Sequence, residues 1–308
     1  MPAPFPIQPE LTAIAIAYRN TRLIADAVLP RVPVGKQDFK YLKHAMADGF
    51  TLPDTRVGRR GRPNEVEFSA TETPASCLDY GLDDPVPQAD IDNAPVNYDP
   101  LGRAVEGLSD LIALDREVRA ANLVFNAANY GAANKVTLSG TSQFSDFTNS
   151  DPIAALMNAL DACIMRPNVM VIGRPAFSVL ARHPKVIKAV LGNAGDSGIA
   201  NRKAIADLFE LEDIQVGEAF LNTAKKGQTA SISRVWGKHI ALLYQDKNAD
   251  TRGGTTFGFT AQFGSRVAGA QADSNIGLRG GQRVRVGESV VELVTANDLG
   301  YFIQNAVA

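Results

Sequence analysis

Hydrophobic positions along the chain follow several periods, and the longest regular one is helical. Leu101, Val105, Leu108 and Ile112, then Leu111, Leu114, Val118, Ala121 and Phe125, recur at spacings of three and four and predict a helix over Leu101–Asn129. At 1.5 Å per residue such a helix would span about 40 Å, longer than most single-domain helices. Arg103, Glu106, Asp110, Arg116 and Arg119 fall on the opposite face, which predicts a surface spine and not a fully buried rod. A second helix starts at Ser150-Asp151-Pro152, where Asp151 can cap and Pro152 suits the first turn, with Ile153, Leu156, Met157, Leu160 and Ile164 on one face. Val169-Met170-Val171-Ile172 reads as a compact buried strand. Helices follow over Pro175–Arg182, then up to Leu191 with Gly192 as its stop, and over Arg202–Glu210. After Ile214 the pattern turns to β: Ser231–Trp236, Ile240–Tyr244, Thr255–Phe263, Arg283–Val286, Val290–Ala296 and Tyr301–Val307, punctuated by Gly253-Gly254 and Gly280-Gly281. The fold class is mixed α+β, without internal repeat or low-complexity tract.

The first hundred residues are less self-sufficient. Pro2, Pro4, Pro6 and Pro9 precede a helix-like run from Leu11 to Leu29, which stops at Pro30 and Pro33; both ends should be extended, because proline fixes φ and lacks a donor. So short a helix is marginal without packing partners, so the segment is expected to be an arm laid on something else. From Gly49 to Ser76, strand-like pieces Phe50–Leu52 and Glu65–Phe68 flank the turn-rich run Arg56–Pro63, predicting a long hairpin with a basic tip. An isolated two-stranded ribbon is marginal in water, so its packing partner is expected on another chain. A loop carrying Pro85, Pro87, Pro95 and Pro100 leads into the long helix.

Composition narrows the function classes. The chain has 308 residues, 45% hydrophobic and 21% charged, enough apolar material for a real core and a soft expectation of two folding units or one larger unit. A net charge of −2 argues against a nucleic-acid coat built on bulk positive charge. Cys77 and Cys163 are too few for a disulfide scaffold or a four-cysteine zinc site and read as reduced and buried. No basic n-region opens the chain, and its best early apolar stretch, Leu11–Ala17, is far short of a membrane span, so the sequence reads as soluble and intracellular.

The search for catalytic chemistry finds no motif. His44, His183 and His239 stand apart, without metal-ligand spacing. The run Asp246–Gly253 resembles a calcium loop but places Thr251 at the sixth position and Phe257 at the twelfth, so a polar turn is expected. Phosphate-cradling glycine loops and nucleophile elbows are absent from the sequence. No catalytic, cofactor or metal site is assigned. The dense basic cluster is Arg56, Arg59, Arg60 and Arg62, flanked by Asp54, Glu65, Glu67 and Glu72 and without interleaved aromatics for base stacking. It reads as a loop tip seeking carboxylates on a neighbouring subunit, where the arginine fork binds bidentately. Expected contact residues are Arg56, Arg59, Arg60, Arg62, Asp54 and Glu65; a solvated tip and a nucleic-acid contact are the alternatives.

The order of parts, extended arm, basic-tipped hairpin, spine helix, helix-and-strand unit and closing strands, resembles the major capsid proteins of tailed bacteriophages, the Hong Kong 97-like fold. The echoes are Ala17-Tyr18-Arg19-Asn20 with Ile24–Val34; Tyr80-Gly81-Leu82-Asp83 before Val86-Pro87; Leu138–Asp146 leading into Ser150-Asp151-Pro152-Ile153; and Arg166–Gly173 with His183-Pro184-Lys185. The resemblance implies an N-arm over 1–46 and an extended E-loop hairpin over 47–78. It implies a P-domain over 79–165 with its spine helix at 100–129, an A-domain over 166–255, and strands over 256–308 returning to the P-domain. It implies a non-enzymatic protein that self-assembles through pentamers and hexamers into an icosahedral virion shell around double-stranded DNA, without sequence-specific DNA binding. Assembly in the bacterial host cytoplasm, no membrane, and scaffold, portal and decoration proteins as partners are implied with it. Relatives with a long N-terminal scaffolding segment differ, since about ten residues precede the arm here, and a separate scaffold or unaided assembly is expected. Some relatives join subunits by an isopeptide bond from an E-loop lysine; Gly49–Ser76 contains none, so that bond is expected to be absent. An encapsulin-like compartment shell is the alternative within the fold, and an enzyme with a site assembled from distant residues the alternative outside it.

Overall fold

A computed structural model describes residues 5–18, 20, 22–44, 50, 52–66, 70–192, 198–225, 227–251 and 253–308. Two main sheets share one helix. The first sheet has four strands in the order Arg31–Val34, Gly258–Asp273, Gly281–Val294, Leu78–Pro87. The second has five, ordered Lys135–Thr137, Gly300–Gln304, Ile240–Leu243, Val169–Gly173, Asp213–Gly217. Two-stranded ribbons, Asp38–His44 with Ala70–Ser76 and Phe220–Asn222 with Ile232–Arg234, stand apart from both.

The spine helix runs Pro100–Val124, started by Asp99, whose carboxylate accepts from the Leu101 N–H at 3.0 Å, and by Pro100 in the first turn. Its first half buries Ala104, Val105, Leu108 and Ile112 against Val284, Val286, Ala268 and Ala270 of the four-stranded sheet. Its last turns bury Ala120, Ala121 and Val124 beside Trp236, Phe257 and Phe302, next to the five-stranded sheet. One helix therefore belongs to two apolar clusters. At about 1.5–3 kcal/mol per fully buried aliphatic side chain, its inward face fixes the two sheets relative to each other. A third cluster, around Leu156, Met170, Leu180, Phe209 and Leu242, fills the helix-and-strand unit.

The structure corrects five expectations. The helix ends at Val124, and Ala127–Asn129 is a separate 3₁₀ turn. Arg116, expected on the solvent face, is 2% exposed, whereas Leu111, expected in the apolar stripe, is 55% exposed. The helix-like run Leu11–Leu29 splits into Pro9–Ala17 and Ala25–Val28, and the first piece packs on its own chain: Leu11 and Ala15 join Val105 and Val286, and Thr12 Oγ1 donates to the Ala268 carbonyl at 2.9 Å. The first part of the proline-bearing stretch expected as a loop, with Pro85 and Pro87, is the end of the strand Leu78–Pro87, tolerated because it lies at a sheet edge, where these prolines remove no donor that the ladder needs; Pro95 does lie in a connecting loop. The closing strands are longer than expected: Gly258–Asp273 and Gly281–Val294 form one continuous hairpin whose register shifts between Phe263 and Val267.

The hairpin over Gly49–Ser76 is also rearranged. Its hydrogen-bonded arms are Asp38–His44 and Ala70–Ser76, paired from Asp38↔Ser76 to His44↔Ala70. Leu52, Glu65 and Val66, expected in strands, carry no strand pairing; Gly49, Thr51, Glu67 and Phe68 lie outside the described residues. Alternation in Asp38-Phe39-Lys40-Tyr41 was the available signal for the first arm.

Candidate assembly interface

The ribbon leaves the body from a closed base. Cys77 N–H donates to the Gln37 carbonyl at 2.9 Å, and Gln37 Nε2 donates to the Cys77 carbonyl at 3.0 Å. Tyr41, 5% exposed, meets Phe259 edge to face at 6.5 Å, and Leu42 N–H donates to the Thr251 carbonyl at 3.2 Å. Farther out the anchors end: residues 52–66 are exposed throughout, with Leu52 89% exposed. Arg56, Arg59, Arg60, Arg62, Asp54 and Glu65 all lie in this stretch. Asp54 shapes the stretch locally, its carboxylate accepting from the Arg56 N–H at 3.0 Å and its carbonyl from Asn64 Nδ2 at 2.8 Å, and Gly61 N–H closes a turn on the Gly58 carbonyl. None of the four guanidiniums has an ion-pair partner among the described residues. Lys40 and Lys43 lie on the observed ribbon, outside the stretch searched for a cross-linking lysine; Lys40 pairs with Glu72 at 2.5 Å and Lys43 sits over the Tyr41 ring.

The direction in which arm and ribbon depart is set by a buried charge network that sequence reasoning missed. Glu117, fully buried on the spine helix, accepts from the backbone N–H groups of Ile24, at 3.0 Å, and Ala25, at 2.7 Å, and from Trp236 Nε1. Burial raises its carboxyl pKa, against the pull of those donors. Arg116 donates to Thr260 Oγ1 at 2.9 Å and the Leu29 carbonyl at 3.2 Å, and pairs with Asp26. Burial and the nearby Arg31 charge lower its pKa, with Asp26 working the other way. Arg31 reaches Glu288 at 2.9 Å and Asp26 at 2.7 Å, while Arg266 holds the same Glu288 at 2.8 Å. Burial opposes ionisation of Asp26 and Glu288, but Arg116 and Arg31 at the first, and Arg31 and Arg266 at the second, outweigh it and hold both carboxyls below their usual range. Gln245 completes the clamp by donating to the carbonyls of Ala27 and Val28. Residues 24–31 are thereby tied to the spine helix and the long hairpin, and the strand Arg31–Val34 leads straight to the ribbon.

Candidate chemistry elsewhere resolves into structural roles. His183 Nδ1 accepts from the Lys185 N–H at 3.2 Å, capping Pro184–Leu191, and its Nε2 meets Ser150 Oγ at 3.1 Å. His239 Nδ1 accepts from the Asn305 N–H at 2.9 Å. The His44 side chain is outside what the structure describes. In the Asp246–Gly253 run, Asp246 accepts from Asn248 N–H and Asp250 from Gly253 N–H, the bonds of a polar turn. Burial pushes the Cys163 thiol up to about 11 and raises that of Cys77, the opposite of an activated thiolate. Among the described residues no group of histidine, cysteine and carboxylate side chains could hold a metal ion, and no helix is long and apolar enough to cross a membrane.

Surface area gives the strongest measure of incompleteness. The chain exposes 17531 Å². A compact monomer of 32.9 kDa would expose about 12,500 Å². The excess, about 5,000 Å², equals roughly six single-sided faces of a standard specific interface.

Comparison with known proteins gives these surfaces a context. The chain matches no protein-family profile. It is 25% identical to a phage-related protein of Bordetella bronchiseptica of known crystal structure, with a TM-score of 0.77 over 99% of this chain and 98% of the other. A capsid protein of the cyanophage P-SCSP1u shares the fold at a TM-score of 0.59 and 10% identity, over 94% of this chain and 89% of its own. The major capsid protein of Pseudomonas phage JBD67 is 62% identical over 306 residues, covering 99% of each chain. With that identity sustained from end to end, and with projections that its own core leaves bare, the chain belongs to the phage major capsid proteins and carries their Hong Kong 97-like fold.

Proposed function

We propose that this chain builds a closed icosahedral head shell around phage double-stranded DNA, assembling through pentamers and hexamers in the bacterial host cytoplasm. In this reading the segments divide as N-arm 1–46, E-loop 47–78, P-domain 79–165 with the spine helix, A-domain 166–255 and returning strands 256–308. The ribbon reaches across to a neighbour, and Arg56, Arg59, Arg60 and Arg62, with Asp54 and Glu65, make the contact. Scaffold, portal and decoration proteins are its further partners. A net charge of −2 suits packaged DNA that must slide in and later leave, because a strongly basic wall would hold phosphates.

The observation that carries this reading is the excess of about 5,000 Å² of exposed surface, because many separate contacts, each weak enough to correct, hold jointly far more tightly than any one. Expressed alone or with its head genes, the protein should sediment as large closed particles visible by electron microscopy. Deleting Arg56–Pro63 and joining the ends by a short turn should leave soluble subunits that assemble poorly; normal particles from that variant would remove the tip from the interface. Nucleic-acid content separates a phage head from an encapsulin-like compartment filled with protein.

A further inference from the structure

We infer that the trough between the middle of the spine helix, the arm root at residues 20–24 and the ribbon Phe220–Asn222 with Ile232–Arg234 binds an acidic amphipathic helix of another protein. The inference goes beyond the assembly reading and is tested on unassembled subunits, so the failure of one leaves the other standing.

Two confluent cavities, of about 630 and 470 Å³, form the trough and share Arg22, Leu23, Arg174 and Glu218 in their walls. The trough offers bare apolar surface. Leu111 is 55% and Phe220 50% exposed, Ile199 in the second cavity is 73% exposed, and Leu23 and Leu114 are half-buried. Leu111 and Leu114 stand three residues apart on one face of the spine helix, a ridge spacing that receives the side chains of a second helix.

Charge on the walls is unbalanced. Arg22, Arg174, Arg202 and Arg234 line the two cavities against two carboxylates, Asp110 and Glu218. Both carboxylates are engaged inside the chain: Asp110 accepts from Asn20 Nδ2 at 2.8 Å, and Glu218 accepts from Arg174 Nη1 at 3.0 Å. The guanidiniums of Arg22 and Arg202 have no ion-pair or hydrogen-bond partner among the described residues. Arg234 lies over the Phe220 ring at 4.4 Å, a stacking contact that leaves its N–H fork free.

This pattern selects the occupant. A continuous phosphate backbone would run its charge past Asp110 and Glu218 and leave Leu111 and Phe220 uncovered. A peptide helix instead sets single carboxylates opposite single guanidiniums and lays its apolar face on the leucines and the phenylalanine. The described helices of this chain offer no such partner: Gln88–Asp92 carries Asp90 and Asp92 but has five residues, and its Ile91 is already packed on the chain's own core. The occupant is therefore a separate polypeptide.

The test uses full-length unassembled subunits and a labelled synthetic helix of about 16 residues, roughly 24 Å long, with leucines on one face and glutamates flanking them. Fluorescence anisotropy should give a Kd of about 10 μM. Arg22→Glu with Arg234→Glu should weaken binding by about tenfold or more at low salt, and should gain affinity for the same peptide with lysine in place of glutamate. Leu111→Ala, at an exposed helix position, should weaken it by about fivefold. Melting followed by Trp236 fluorescence checks that each variant folds. The inference is overturned if the peptide fails to bind at about 1 mM, or if the arginine reversal leaves its affinity unchanged. It is overturned equally if a peptide with serine in place of leucine binds as well, since the apolar wall then plays no part. Short duplex DNA that displaces the peptide and loses its own affinity in the arginine reversal would make the trough a phosphate track instead. Loss of shells in the reversal, without peptide binding to the parent, would make it a contact between copies of this chain.

Discussion

Replacing Glu117 tests how the arm root is held. In Glu117→Ala three buried donors lose their acceptor: the Ile24 and Ala25 N–H groups and the Trp236 indole N–H. A buried donor left unsatisfied costs about 1–3 kcal/mol, so the simple sum runs from about 3 to 9 kcal/mol. Two effects pull it toward the lower end. Removing the carboxylate also removes the penalty of burying a charge, visible in its raised pKa, and the short helix Ala25–Val28 can shift to let water reach Ile24. We expect a loss of about 3–5 kcal/mol, a large share of a typical stability of about 5–15 kcal/mol. Glu117→Gln keeps one acceptor oxygen and the side-chain volume, and should lose about 1–3 kcal/mol. Trp236 is the single tryptophan and touches residue 117, so urea titration of soluble subunits followed by its fluorescence reads the transition at the point of damage. If the alanine variant unfolds within about 0.5 kcal/mol of the parent, the clamp on residues 24–31 does not hold the arm, and the account of its departure angle fails.

Acidification should loosen the same region. Asp26 and Glu288 have lowered pKa values, so the stability they contribute is present above the ordinary carboxylate range and lost as pH falls through their folded values; Glu288→Gln should flatten that loss in pH-dependent melting, and an unchanged acid profile would contradict it. Gly217→Ala should cost about 1–3 kcal/mol by overpacking, because a Cβ there would stand 2.1 Å from Trp236 Cγ, and a melting temperature equal to the parent's would show that the indole can move. Boiled, denatured shells should run as one band at 32.9 kDa without a ladder; covalent multimers would implicate Lys40 or Lys43 on the ribbon.

Much of the fold was legible because its signals are local. The spine helix, the cap at Asp151, the stop at Gly192 and the buried strand Val169–Gly173 each follow from a few neighbouring residues. Arg116 and Glu117 were not legible: helical periodicity places them beside other charged residues, and only the return of residues 24–31, some 90 positions earlier in the chain, covers them. Edge prolines misled in the same way, since Pro85 and Pro87 break a central strand but not an outer one. The tip arginines stood out by density alone.

Both outer strands of the four-stranded sheet carry proline, Pro33 at one margin and Pro85 and Pro87 at the other, and the two inner strands carry none. A bare sheet margin templates the next chain, and repeated pairing of that kind would stack sheet against sheet into open-ended fibres. Blank positions in the donor row at both margins make such stacking unproductive. Both margins thereby resist amyloid-like growth, while the side-chain surfaces remain free for other copies.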